Sequence, residues 1–403
     1  MIRILFRLFN NFLFAGNERP FYKDIRFWLL LIVINCGANL GFNYYFPQQT
    51  VKIFLFALCV ILLCSNKYGR LSNGGKGFIL SLAAILFFQF SYLSIYSFST
   101  SIHYVLMISI AVMTVAICGK SFVRYFSSII CIYAVISLVC FLLCSIGIGV
   151  PYIAISDTNI DGGIVMRVYN LYYTQLGNPA TGLTYSERNC GPFWEPGAFQ
   201  GFLNLSLFFE LTIDQIRNKF WKARVIILII TIVTTFSTGG YVVLFMILLY
   251  YFSHDKKINS VVKILFTIGC LSIFYYLYFK LDFLGQKISN DEGRLSFSFT
   301  DFPNIFYMLF GYGYSPESFK TSSMESASSI FNLFRYFGIV GFLIYMSQLL
   351  FNHTPKRIAY FIIVTLILTN EPFLSNAMIW WGVAFVKYDA IDLKDYYKVG
   401  SIN

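Results

Sequence analysis

Residues 214–263 read DQIRNKFWKARVIILIITIVTTFSTGGYVVLFMILLYYFSHDKKINSVVK. Arg217, Lys219, Lys222 and Arg224 precede the apolar run, and Lys256, Lys257 and Lys263 follow it. No Asp, Glu, Lys or Arg stands between Arg224 and His254. Basic flanks of this kind mark the cytoplasmic ends of membrane helices. The chain must then cross and return inside the run, and Ser237-Thr238-Gly239-Gly240 reads as the turn. A return leg over 241–253 supplies about 20 Å of helix against about 30 Å of hydrocarbon. The tip is expected below the outer membrane surface, where non-helical backbone must be buried in protein or line water. Helix tilt or distortion is the other way to absorb such a mismatch.

The whole chain fits this setting. It has 403 residues, 57% hydrophobic and 20% aromatic but only 12% charged, with a mean hydropathy of +0.67. Soluble domains carry about 25% charged residues, so this chain has too few to cover a water-facing surface. A soluble enzyme, a disordered chain and a secreted disulfide scaffold are excluded. The fold class expected is an all-α polytopic membrane protein. The net charge of +11 is assigned to sidedness, not to a nucleic-acid partner. Eight of the nine cysteines fall in apolar runs, and Cys190 sits in a polar loop with no second loop cysteine, so no structural disulfide is expected. No cleavable signal peptide is evident. Residues 2–14 place Arg3, Arg7, Asn10 and Asn11 on one helical face, as in an interfacial helix.

Twelve apolar runs can be marked: 27–46, 51–65, 77–98, 102–119, 121–149, 198–213, 224–238, 241–253, 260–280, 327–351, 358–370 and 374–388. With both termini inside, the inner segments hold 22 of the 30 Lys/Arg, and acidic residues lean outward, eleven against eight. The predicted order is an amphipathic segment 1–26, helices 1–5 in 27–149, a long outer loop 150–197, helices 6–9 in 198–280, a second long outer loop 281–326, helices 10–12 in 327–388 and a cytoplasmic tail 389–403. Long loops of mixed polar, Gly, Pro and aromatic content are usually functional; a passive cap is the alternative. The arithmetic of the first hairpin repeats in 358–388, which puts Thr369-Asn370-Glu371-Pro372 below the outer surface. Arg335 falls about two turns into its helix. One outward-open cavity is expected to receive both tips, Arg335 and Glu371; a structural Arg335–Glu371 pair is the other reading.

The strongest local signal is Glu187-Arg188-Asn189-Cys190-Gly191-Pro192-Phe193-Trp194-Glu195-Pro196-Gly197, which closes the first long loop and opens a helix. The helix amino end points outward with unpaired N–H groups, and Arg188 beside it makes an anion site. Glu195 either helps cap this helix or accepts a proton from a sugar hydroxyl. In the second loop Arg294 is a phosphate ligand or a solvated charge. Tyr312 and Tyr314 offer faces for stacking on sugars, and equally suit a membrane interface. No Walker A sequence occurs, the three His are scattered, and no Cys pair has metal spacing, so neither cofactor nor metal is expected. Asp157 and Asp161 are the weak exception for a divalent ion.

Taken together, Arg188 through Gly197, the Ser-Thr-Gly-Gly tip, Gly293-Arg294, Leu309-Phe310-Gly311-Tyr312-Gly313 and Asn332…Gly338-Ile339-Val340-Gly341 resemble the O-antigen polymerase and O-antigen ligase superfamily, the Wzy-like polytopic glycosyltransferases. The matching pieces total some forty residues within 188–341, and the amino-terminal half matches only as hydrophobic spans. The ligase branch carries a His before its Gly-Ile-x-Gly segment, where this chain reads Glu325-Ser326-Ala327-Ser328-Ser329. That departure favours the polymerase branch. The Arg usual after the hairpin Ser is also missing.

The resemblance implies a GT-C-like fold and an inverting, metal-independent transfer of a growing glycan from polyprenyl diphosphate to a lipid-linked repeat unit, at the periplasmic face of a bacterial inner membrane. It implies undecaprenyl-diphosphate-linked oligosaccharides and the bilayer as partners, together with a chain-length regulator protein. Arg188, Arg294 and Arg335 are expected at the diphosphate, Glu195 as base with Glu325 or Glu371 in reserve, and Trp194, Tyr312 and Tyr314 at the glycan. A lipid-linked oligosaccharide flippase is the rival; it requires ionisable groups along a path reaching both faces. O-antigen ligase is the third reading.

Overall fold

The structure, a computed structural model, describes residues 12, 23–39, 42, 46, 48–65, 69–92, 98–148, 153–156, 165–169, 172–175, 188–254, 259–279, 304–311, 313, 328–350, 355–370, 373 and 380–381. Helices dominate these residues: α1 Ile25–Ala38, α2 Gln48–Cys64, α3 Asn73–Ser91, α4 Phe98–Cys118, α5 Ser121–Ser145, α6 Pro196–Thr212, α7 Trp221–Thr234, α8 Thr238–His254, α9 Ser260–Phe279, the short α10 Ile305–Phe310, α11 Ser329–Leu350 and α12 Pro355–Asn370. Each of the first eleven apolar runs carries one long helix. The twelfth lies outside the described residues save Trp380 and Trp381. So do the amphipathic segment save Phe12, Lys23, Asp24 and Ile25–Arg26, most of the second long loop, and the tail.

Three helices, α3, α5 and α11, are long and apolar enough to cross a membrane, and shorter apolar helices pack around them. Phe54, Ile61, Leu80, Phe87, Leu142 and Leu265 are exposed on these helices, a surface suited to lipid. Within the first long loop the chain forms an antiparallel sheet that the sequence reading did not anticipate. Its strands are β1 Ile153–Ser156, β2 Val165–Tyr169 and β3 Tyr172–Gln175, in the order β1-β2-β3. Ile153 pairs with Val168, and Tyr169 with Tyr172. β-branched and aromatic residues suit this arrangement.

Local sequence sets the helix ends. Asp24 caps α1 by accepting from the Arg26 amide at 2.9 Å, and Ser72 caps α3 by accepting from Gly75 at 3.0 Å. The first hairpin turns earlier than its glycines imply. The turn is Thr235-Phe236-Ser237, and Ser237 Oγ accepts from the Gly240 amide at 3.4 Å as α8 begins. Gly239 and Gly240 instead lie in the first turn of α8, where a side chain would strike Asn370 and Gln200. The short leg is therefore α7, at 14 residues about 21 Å long, and the return leg has 17 residues.

Contacts between helix termini define two ends of the bundle. At one end, Asp24 takes bonds from Arg26 and from Tyr125 of α5, and the Cys118 thiol of α4 donates to the Arg26 carbonyl. Burial raises the Asp24 carboxyl, and the Arg26 and Tyr125 bonds outweigh it, so the acid is held below its ordinary range. The Arg26 guanidinium is correspondingly pushed above its usual value, chiefly by that Asp24 bond. At the other end, Asn39 just after α1 pairs with Phe193 just before α6. There too α12 finishes against the start of α8, and the Phe373 amide donates to Ser329 Oγ at the start of α11.

Two features of the interior were not legible as such. Arg224, which charge counting placed in a cytoplasmic segment, is 1% exposed and forms an ion pair with Glu210, itself 0% exposed. Ser127 Oγ donates to the same carboxylate oxygen at 2.5 Å. Arg357, counted in the same way, is buried too. The motifs around Gly311 and Gly338 also have a plain structural basis. Gly338 breaks α11 with φ 67°, and Gly311 at φ 85° fits against it so closely that a Cβ on either would meet the other's backbone. Gln89 of α3 ties the junction by donating to the Phe310 and Tyr336 carbonyls.

Gly338→Ala is expected to lower stability by about 1–3 kcal/mol or more, read as a lower thermal midpoint in detergent. Arg224→Met should cost about 3–5 kcal/mol, and the double variant Glu210→Leu/Arg224→Met should recover most of it. A double variant no more stable than Arg224→Met would show that the pair is not the cause.

Candidate functional site

The segment 188–195 crosses the end of the bundle where the first hairpin tip meets the carboxyl end of α12. Asn189 is fully buried and anchors it: its amide donates to the Thr234 carbonyl at 3.0 Å, its Nδ2 to Thr234 Oγ1 at 3.0 Å and Ser137 Oγ at 3.3 Å, and its Oδ1 accepts from Gly191 at 3.0 Å. Gly191 takes φ 54° and lies on the Phe199 ring, leaving no room for a side chain. Phe193 packs among Tyr133, Phe199 and Phe202. Cys190, expected in a polar loop, is buried because this turn folds inward, and its thiol donates to the Arg188 carbonyl.

Arg188 does more than face solvent. Its Nε donates to the Thr235 carbonyl and its Nη2 to the Phe236 carbonyl, each at 3.1 Å. These are carbonyls at the carboxyl end of α7, which a helix cannot satisfy internally and where a cation is favoured. Nη1 makes no bond to a described residue and remains for an anion.

Glu195 stands at the N-cap of α6, yet its side chain makes no capping bond. Its Oε1 accepts from Trp194 Nε1 at 2.7 Å instead. With the carboxylate taken by the indole, Glu195 does not cap α6 by a hydrogen bond. Trp194 is half-buried, with its ring edge-on to Phe373 at 5.8 Å. It orients the acid as well as offering a partly open face.

Behind this segment, Gln200 and Asn204 lie one turn apart on α6, fully buried. Asn204 Nδ2 donates to Gln200 Oε1 at 2.8 Å and to the Gly240 carbonyl at 3.1 Å. Gln200 Nε2 and Asn204 Oδ1 have no partner among the described residues. Their spacing at i, i+4 in an apolar helix is a signal that the sequence reading passed over. Arg335 is half-buried on α11, six residues beyond Ser329, and carries contacts of its own. Glu325, Glu371, Arg294, Tyr312 and Tyr314 lie outside the described residues. Among the described residues no three His, Cys, Asp or Glu gather as a metal site, and Cys36, Cys59, Cys64, Cys118, Cys131, Cys140, Cys144 and Cys190 are free thiols.

The arrangement brings Arg188, Trp194 and Glu195 to the end where α7, α8 and α12 meet. A guanidinium tip and an oriented carboxylate there can bind an anion and accept a proton. Comparison with protein-family models, curated proteins and solved structures finds no match.

Asn189→Ala removes three side-chain bonds from a buried turn and should destabilise the protein by about 2–3 kcal/mol. Arg188→Ala, which exposes two carbonyls, should cost about 1–2 kcal/mol. Thermal unfolding in detergent checks both, and unchanged midpoints would mean the 188–195 turn is not held by these bonds.

Proposed function

We propose that the chain is a surface-polysaccharide polymerase of the O-antigen type, embedded in a bacterial inner membrane by about twelve helices, with both termini cytoplasmic and the 188–195 end facing the periplasm. One observation carries the reading: a short hairpin tip meets the end of α12 beside a segment that presents an arginine and an uncapped, tryptophan-oriented carboxylate. A transferase acting on a lipid diphosphate at the membrane surface needs this pairing of cation and base.

In the reaction, Glu195 takes the proton from the acceptor hydroxyl as that oxygen attacks the anomeric carbon. The bond from this carbon to the diphosphate oxygen breaks, and its electron pair leaves with the polyprenyl diphosphate. Arg188 Nη1, with Arg294 and Arg335, neutralises the charge that grows there. Trp194 holds the carboxylate, and Tyr312 and Tyr314 stack on the glycan. Glu325 and Glu371 are the reserve bases. Because Arg188 is already anchored through two of its nitrogens, its charge is fixed before substrate arrives.

A second reading, a lipid-linked oligosaccharide flippase, is favoured by the buried Glu210–Arg224 pair, which puts ionisable groups deep at the end opposite Glu195. Polymer made by purified protein from lipid-linked repeat units, with no membrane to cross, separates the two. Ligase is separated by a mutant that still attaches single units to lipid A core.

At matched expression, Arg188→Ala, Arg294→Ala, Arg335→Ala and Glu195→Gln should each shorten or abolish polymer, with Glu195→Gln lowering the rate by about 10²–10⁴-fold. Wild-type banding in all four removes the proposal.

A further inference from the structure

Lys52 lies in the second turn of α2 and is 2% exposed. Its ammonium sits 3.0 Å from Nε2 of His103 in α4. An ammonium has three N–H donors, and a neutral imidazole accepts only one. No other described residue accepts from it. The shortage is written in the sequence, which has no Asp or Glu between Asp24 and Asp157. Asp24 is engaged at the opposite end of α1 by Arg26 and Tyr125. On the Lys52 side, α1 supplies the Cys36 thiol, and Asn39 links the same helix end to Phe193. The pair is thus a buried positive charge with no carboxylate beside it among the described residues, one helix away from the 188–195 segment.

A buried cation with no counter-charge is costly, and intramembrane ionisable groups mark ligand sites or partners. Depth narrows the ligand. Lys52 is four residues from the start of α2 and His103 five from the start of α4, about 6 and 8 Å along their axes. Both thus lie within about two turns of the start of their helices, and basic sites between helices near a membrane face take lipid phosphates. We propose that Lys52 and His103 form an anion site for a phosphate or diphosphate group, separate from Arg188. Lys52 donates its remaining N–H bonds to phosphate oxygens. His103 Nε2 accepts from Lys52 and so fixes the position of the ammonium. The proposal concerns binding and does not rest on the polymerase reading.

The test is binding by the full chain in a maltoside detergent, followed by native mass spectrometry. Three probes are titrated separately: inorganic pyrophosphate, phosphatidylglycerol and undecaprenyl diphosphate. Wild type should bind at least one of them. Lys52→Met and His103→Gln should each weaken one bound equivalent by at least about tenfold, and Lys52→Arg should stay within about threefold. Retention of pyrophosphate identifies a free phosphate as the ligand, and retention of the lipids alone identifies a headgroup. Should Lys52→Met not fold, His103→Gln decides. Absence of binding to all three probes by wild type, or wild-type affinity in a folded Lys52→Met or in His103→Gln, overturns the site, whatever polymer is made.

Discussion

A helix that stops short of the membrane surface leaves its last carbonyls where water is scarce, and each must find a donor. Helix α7 ends at Thr234 after 14 residues. Its donors come from a segment far back in sequence: the Asn189 amide to Thr234, and the Arg188 guanidinium to Thr235 and Phe236. Thus one of the residues that finish the short helix, Arg188, also belongs to the candidate site. The turn 189–193 is drawn inward by these bonds, which leaves Arg188 and Glu195 at its two margins.

The rest of the end is organised around the same hairpin. Because Gly239 and Gly240 have no side chains, α8 can approach Asn370 of α12 and Gln200 of α6, and Asn204 then bonds the Gly240 carbonyl. Phe373 packs on Phe202 and Trp194 while its amide is held by Ser329. Helices α6, α8, α11 and α12 are thereby joined at one place. At the opposite end the Glu210–Arg224–Ser127 group joins α5, α6 and α7. Polar bonds inside an apolar bundle specify which helix faces which, since lipid and side chains are equally apolar.

Much of this was readable from the sequence. Hydropathy located eleven helices, and basic flanks located the hairpin, because both signals are summed over many residues. Arg188 through Gly197 stood out because Gly, Pro and a charged residue punctuate the start of a helix. What could not be read were pairings across the chain. Glu210 and Arg224 look like ordinary helix-end charges until α6 and α7 are folded together. Lys52 and His103 are 51 residues apart. Gly311 and Gly338 stood in two of the stretches that carry the family resemblance, and in the structure they serve a close backbone approach. The Ser-Thr-Gly-Gly turn was misplaced by two to three residues because glycine signals both turns and tight helix contacts, and sequence alone does not choose. The strands of the first loop were missed since four- and five-residue runs carry little periodicity.

The most direct test of the account is an experimental structure of the full chain in a bilayer disc with undecaprenyl diphosphate bound. The diphosphate should lie within hydrogen-bond reach of Arg188 Nη1, at the end of the bundle that carries Glu195 and the first hairpin tip. A diphosphate bound at the Glu210–Arg224 end, or an Arg188 side chain turned into lipid, would contradict it.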